Sequence, residues 1–228
     1  MGKALSAHDR QSLSGLAMVA EVCVRALVNE PAQGIVDDVR HVAQGLGSTR
    51  FDEVKASDDL HRRYYDRFFV SSSPLFVPLV ESCVLGVWED QGFRRFGTFG
   101  GPAADHVSGC YRALGFDYRA IRGYDLAVQR LRPDSMASEL AFIALLARSA
   151  CSTDAGVEAA VRSGALLCQF AHEHALRWFA AAAGELRRTD DDFYAGMCEI
   201  AANVLDAWCR ESEAVSASEE YRPKSKGA

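Results

Sequence analysis

Leu13, Leu16, Ala17, Ala20, Val24, Leu27 and Val28 recur at helical spacing, which predicts an amphipathic first helix over about residues 12–29. The same period of roughly 3.6, carried by Ala, Leu, Glu and Arg, predicts further helices near 31–46, 56–70, 103–115, 136–150, 154–183 and 190–211. Alternating runs of β-branched residues are nearly absent. The pattern specifies an all-α fold, a single-domain helical bundle of about seven or more helices over residues 1–211. Pro31 suits the first turn of the second helix, and Gly45 and Gly47 suit its end. Thr189 and Asp192 have the spacing of a capping box, with Asp190 and Asp191 well placed against the dipole of the last helix. Pro74, Pro78 and the run Gly97-Thr98-Phe99-Gly100-Gly101-Pro102 interrupt the helical period, so 71–101 reads as a loop region. Beyond 211 the chain turns to Ser, Glu, Lys and Gly, and 212–228 read as a mobile polar tail.

Polar residues stranded in apolar helices are the next signal. In Glu139-Leu140-Ala141-Phe142-Ile143-Ala144-Leu145-Leu146-Ala147 the helix is apolar nearly all round, so it is central and Glu139 lies at or near the core. A buried carboxylate needs a partner. Two readings stay open: Glu139 accepts hydrogen bonds from a neighbouring helix or loop, or it faces a cleft and helps to hold a cationic ligand. Phe170, His174 and Trp178 form a stripe on the helix near 154–183, which reads His174 as a structural histidine tying that helix to the loop before Met136. The aromatics of Tyr64-Tyr65-Asp66-Arg67-Phe68-Phe69 read as core or as a peptide-binding wall.

Composition narrows the function. Thirty-one acidic against 25 basic residues give a net charge of -6, which disfavours phosphate-backbone binding, so no nucleic-acid partner is expected. The seven cysteines are odd in number and scattered, without CxxC or zinc-finger spacing, which fits a reducing compartment and predicts no metal. Glu21 and Arg25 interrupt the apolar stretch near the N-terminus, and neither a secretory core nor stable membrane insertion is expected. His172-Glu173-His174 fails the HExxH pattern because Leu176 stands where its second His would be. No GxxxxGK[ST] and no G-x-S-x-G occurs, so no cofactor and no catalytic residue is assigned.

The stranded residues nevertheless fall into a recognisable order. Tyr65-x-x-Phe68-Phe69, Pro78 with Glu81-Ser82, Tyr111 with Gly115, Arg132-Pro133-Asp134-Ser135-Met136-Ala137-Ser138-Glu139-Leu140-Ala141-Phe142, Phe170-x-x-x-His174-x-x-x-Trp178 and Phe193-Tyr194 resemble the signatures of the TorD/DmsD family over about residues 60–208. That family comprises chaperones of molybdenum oxidoreductases; its usual His after the Asp is Ser135 here. The resemblance implies a cytoplasmic, non-enzymatic chaperone that binds the twin-arginine leader or the body of an apo-molybdopterin oxidoreductase until its cofactor is inserted.

On that reading Arg132, Pro133, Asp134 and Ser135 form the recognition loop, and Asp134 and Glu139 supply charge for the leader's arginines. Tyr65, Phe69, Trp88 and Trp178 supply wall, and His174 belongs to the same surface. Some members exchange helices into a homodimer, for which 71–101 is the candidate hinge, and some bind guanine nucleotides, for which no phosphate-binding motif is present. The competing reading is a helical enzyme with His174 and either Glu139 or Asp134 as an acid/base pair in a solvent-open pocket.

Overall fold

The computed structural model describes residues 6–152 and 156–220. Helix α1 (Ala7–Val28) starts on a capping box in which Ser6 and Asp9 exchange hydrogen bonds. Its most apolar stretch has the length and hydropathy of a membrane span, yet half of it is buried inside the bundle. There it packs on α2 (Gln33–Gly45), α7 (Met136–Cys151) and α10 (Phe193–Glu220). Helix α7 is the centre, as its nearly uniform apolarity requires: Met136, Leu140, Phe142, Ile143 and Ala147 are all buried. Helices α8 (Gly156–Phe170) and α9 (Leu176–Thr189) complete the bundle against α7 and α10. The architecture is a single helical domain, as the periodicity predicts.

Several boundaries differ from the sequence reading. The second helix begins at Gln33, so Pro31 precedes it rather than opening it. The long helix near 154–183 is divided by a π-turn over Ala171–Ala175, and its expected first residues lie outside the described ones. Asp192, not Thr189, caps α10: its Oδ1 accepts from the N–H groups of Tyr194 and Ala195 at 3.0 and 3.1 Å. Thr189 instead ends α9, where its hydroxyl donates to the Leu186 carbonyl. Helix α10 runs to Glu220, past the expected end near 211, because the Ala and Glu of that stretch extend an established helix at little cost. Residues 221–228 of the expected tail lie outside the described ones.

The segment 71–101 is not a bare loop. It holds α4 (Glu81–Leu85) and a two-stranded hairpin, β1 (Trp88–Asp90) and β2 (Phe93–Arg95). Gln91 and Gly92 both have positive φ, the conformation of the tight hairpin turn whose twist matches its strands. Arg94 reaches from β2 to Glu185 on α9 with a two-pronged ion pair. Helix α3 (Asp58–Phe68) precedes this segment and α5 (Pro102–Ala113) follows it, the latter with Pro102 in its first turn.

Candidate functional site

Two of the sequence signatures meet as neighbouring strands of chain. Met136 N–H donates to the Leu79 carbonyl at 3.0 Å, and Glu81 N–H donates to the Asp134 carbonyl at 2.8 Å, so 79–81 and 134–136 run antiparallel. Ser135 is the N-cap of α7; its hydroxyl accepts from Ser138 N–H and donates to the Arg132 carbonyl. The Asp134 carboxylate turns the other way and accepts from Ser82 N–H at 3.2 Å, capping α4 from a distant part of the chain. Tyr111 on α5 fixes the same loop by donating to the Pro133 carbonyl at 2.8 Å.

Beneath this junction lie three carboxyl groups, Glu81, Asp134 and Glu139, all with no exposed surface. His174 Nδ1–H donates to Glu81 Oε2 at 2.8 Å, and its Nε2 lies 2.7 Å from His106 Nδ1. Trp178 Nε1–H donates to Glu139 Oε2 at 3.0 Å. Burial above all, then the Glu81 carboxylate beside it, holds the Glu139 carboxyl well above the ordinary range; the Trp178 hydrogen bond pulls the other way. Among the described residues, the second oxygen of each of these three carboxyl groups has no hydrogen-bond partner. The signatures around Glu81, Asp134 and Glu139, and around His174 and Trp178, are thus one buried lock that joins α4, α7, the π-turn and α9.

A second lock was not anticipated from sequence. Arg67, at the end of α3, is wholly buried. Its guanidinium donates to Asp192 Oδ2 at 2.8 Å, to Thr189 Oγ1 at 2.7 Å and to the carbonyls of Leu75, Leu186 and Asp190. Five donors in a planar fork suit such a set of acceptors, as a lysine would not. This residue clamps the ends of α3 and α9 and the start of α10 behind Phe68 and Phe69.

Above the two locks an open groove of about 670 Å³ runs between the end of α3 and the 130–135 loop. Val28, Phe68, Phe69, Leu79, Phe99 and Leu131 give it an apolar lining. Its charged residues are Arg130 and Arg132, whose guanidinium groups lie 5.3 Å over the Phe69 ring and 4.2 Å over the Phe99 ring.

Of the residues singled out from sequence, Phe69, Arg132, Pro133 and Ser135 line this groove. Tyr65 stands behind Phe69 and shares hydrogen bonds with Glu30 and Tyr124. Trp88 is exposed on β1 and is not among the lining residues. Asp134, Glu139, His174 and Trp178 are buried with internal partners, so they shape the groove from below, and the charge it presents is basic rather than acidic. The acid/base pair of the enzyme reading is not formed either: the carboxylate partner of His174 is Glu81, while Glu139 serves Trp178 and Asp134 serves Ser82.

No curated protein and no solved structure matches the chain. A family model described as the nitrate reductase delta subunit matches residues 32–184, a span that contains α2 to α5, a short α6 (Asp125–Gln129), α7, α8, the π-turn, both locks' central residues Arg67, Glu81 and Glu139, and the groove loop. The chain therefore belongs to the nitrate reductase delta subunit family, a TorD-like family of chaperones for molybdoenzyme maturation.

Proposed function

We propose that this chain is a cytoplasmic, cargo-specific chaperone that holds the apo form of a molybdopterin oxidoreductase subunit until its cofactor is inserted, and that the groove above 130–135 is where cargo is gripped. The observation that carries this reading is an apolar groove whose floor is fixed by buried polar locks, which is what capture of an extended or helical apolar segment requires. The apolar part of a twin-arginine leader is a fitting occupant. Its arginines have no acidic partner among the lining residues, so they act through long-range attraction to a chain of net charge -6.

Phe99 is the residue to test, because it is about half exposed on the groove and supports no core packing. Affinity capture from the native cell, read by mass spectrometry, is expected to recover a molybdopterin subunit with the natural chain and to lose it with Phe99→Asp. Calorimetry with that subunit's leader peptide is expected to give binding that weakens with salt and falls only modestly when the two arginines become alanine. Equal recovery by Phe99→Asp would move the grip elsewhere. Failure of both leader and mature subunit to bind would overturn the reading.

A further inference from the structure

His106, Cys110 and His174 bring three metal-binding atoms together where α5 crosses the π-turn. His106 and Cys110 are four residues apart on α5 and so share a face. His106 Nδ1 lies 2.7 Å from His174 Nε2, and Cys110 Sγ joins these nitrogens in a cluster whose atoms all lie within 4.8 Å of one another. Each imidazole also turns its remaining nitrogen toward a carboxylate. His174 Nδ1–H donates to Glu81 Oε2 at 2.8 Å, and His106 Nε2 is 4.0 Å from Glu173 Oε2. A carboxylate behind an imidazole fixes the tautomer and leaves the lone pair of the opposite nitrogen facing forward. Glu81 thereby leaves the His174 Nε2 lone pair facing forward, where an N–H on His106 Nδ1 meets it at 2.7 Å; a cation would take the place of that proton, with His106 then carrying its N–H at Nε2 on the Glu173 side.

We propose that His106, Cys110 and His174 form a binding site for a zinc-class divalent ion, with Glu81 and Glu173 as positioning residues behind the two imidazoles. Two nitrogens and one thiolate are the donor set that zinc prefers, and tetrahedral coordination places the nitrogens about 3.3 Å apart. Reaching that spacing from 2.7 Å needs a small outward movement of one ring. His106 has 57% of its side chain exposed and can make it, while His174 is held in the core by Glu81 and by the Phe170 ring against it. The π-turn that carries His174 is a rare widening of a helix, of the kind that recurs at functional sites. Three protein ligands leave the fourth position on the solvent side, open to water or to a donor from a bound partner. None of the three residues lines the proposed cargo groove, so the ion would anchor α5 to the π-turn without itself touching cargo there.

Cobalt(II) titration of the metal-free full-length chain tests this directly. The expected result is a stoichiometric tetrahedral cobalt spectrum with a thiolate-to-metal charge-transfer band, displaced by zinc. His106→Ala and Cys110→Ser, both at solvent-accessible positions, are expected to weaken cobalt binding by more than about tenfold, and the second also removes the charge-transfer band. Cys151→Ser is expected to change neither. X-ray absorption of the zinc-loaded natural chain, which requires no variant, is expected to show two nitrogen ligands and one sulfur. Absence of a tetrahedral spectrum at stoichiometric cobalt, or its persistence in Cys110→Ser, would overturn the site.

Discussion

Trp178 donates its indole proton to Glu139 across 3.0 Å, and both residues are completely buried. The bond joins α9 to α7 and gives the carboxyl its one hydrogen-bond partner among the described residues. Because burial raises the Glu139 pKa, the native state keeps this proton to a higher pH than the unfolded chain does. The associated stability is complete below the ordinary value of 4.5 and is lost as pH rises through the raised native value. Glu139→Gln retains an acceptor for Trp178 but does not ionise. Urea midpoints are expected to show this variant more stable than the natural chain at neutral pH, with the difference closing toward pH 4.5. Parallel stability curves would show that the carboxyl is not protonated in the native state.

Arg67→Ala should be among the most damaging single changes. It removes the clamp on three helix ends and leaves Asp192, itself only 6% exposed, with only the more distant Arg63 guanidinium at 3.6 Å in place of its hydrogen-bonded cation. Breaking a buried pair in this way costs about 3–5 kcal/mol. Arg67→Lys restores the charge but not the planar fork, so it is expected to recover only part of the loss in chemical denaturation. A cost below about 1 kcal/mol for Arg67→Ala, the level of an exposed pair, would refute the clamp.

Asp134 offers a way to separate support from contact. As a cap on α4 it needs only an acceptor oxygen, so Asp134→Asn should keep both stability and cargo capture, whereas Asp134→Ala should lose about 0.5–2 kcal/mol and weaken capture with it. Loss of capture in a fully stable Asp134→Asn chain would instead mean that the carboxylate meets the cargo's arginines itself.

Gly97 is a position where even one methyl group does not fit. A Cβ there would stand 2.6 Å from the Ser82 carbonyl oxygen and 3.0 Å from Gly86 Cα, both backbone atoms. Gly97→Ala must therefore push the chain after β2 away from α4, at a cost of roughly 1–3 kcal/mol, and shift Phe99 on the groove wall. Thermal denaturation together with cargo capture checks both effects.

Much of this fold was legible because helices announce themselves by period: α1, α7 and α10 follow the positions at which Leu, Ala and Phe recur. The burial of Glu139 was equally legible, from the apolar residues on every side of it. The hairpin escaped notice because its strands carry Trp88, Phe93 and Arg95 on exposed faces, without the alternation that burial of one face imposes. Arg67 was hidden among aromatics, and nothing local distinguishes an arginine whose acceptors come mostly from residues 186–192. The surface role expected for Asp134, Glu139 and Trp178 went astray for a related reason: the family signature marks where polar residues are required, but only packing reveals whether they face the cargo or hold the scaffold. No spacing rule links Cys110 to His174, because the link is tertiary.

Arg67 reaches Asp192 across 125 positions of the chain, and Glu81 reaches His174 across 93. Pairings of such separation close late, after the more local helix contacts. Both locks lie behind the groove, so a chain emerging from the ribosome cannot complete the groove's support until the start of α10 is out. The order of synthesis thus makes this groove one of the last features of the domain to be finished.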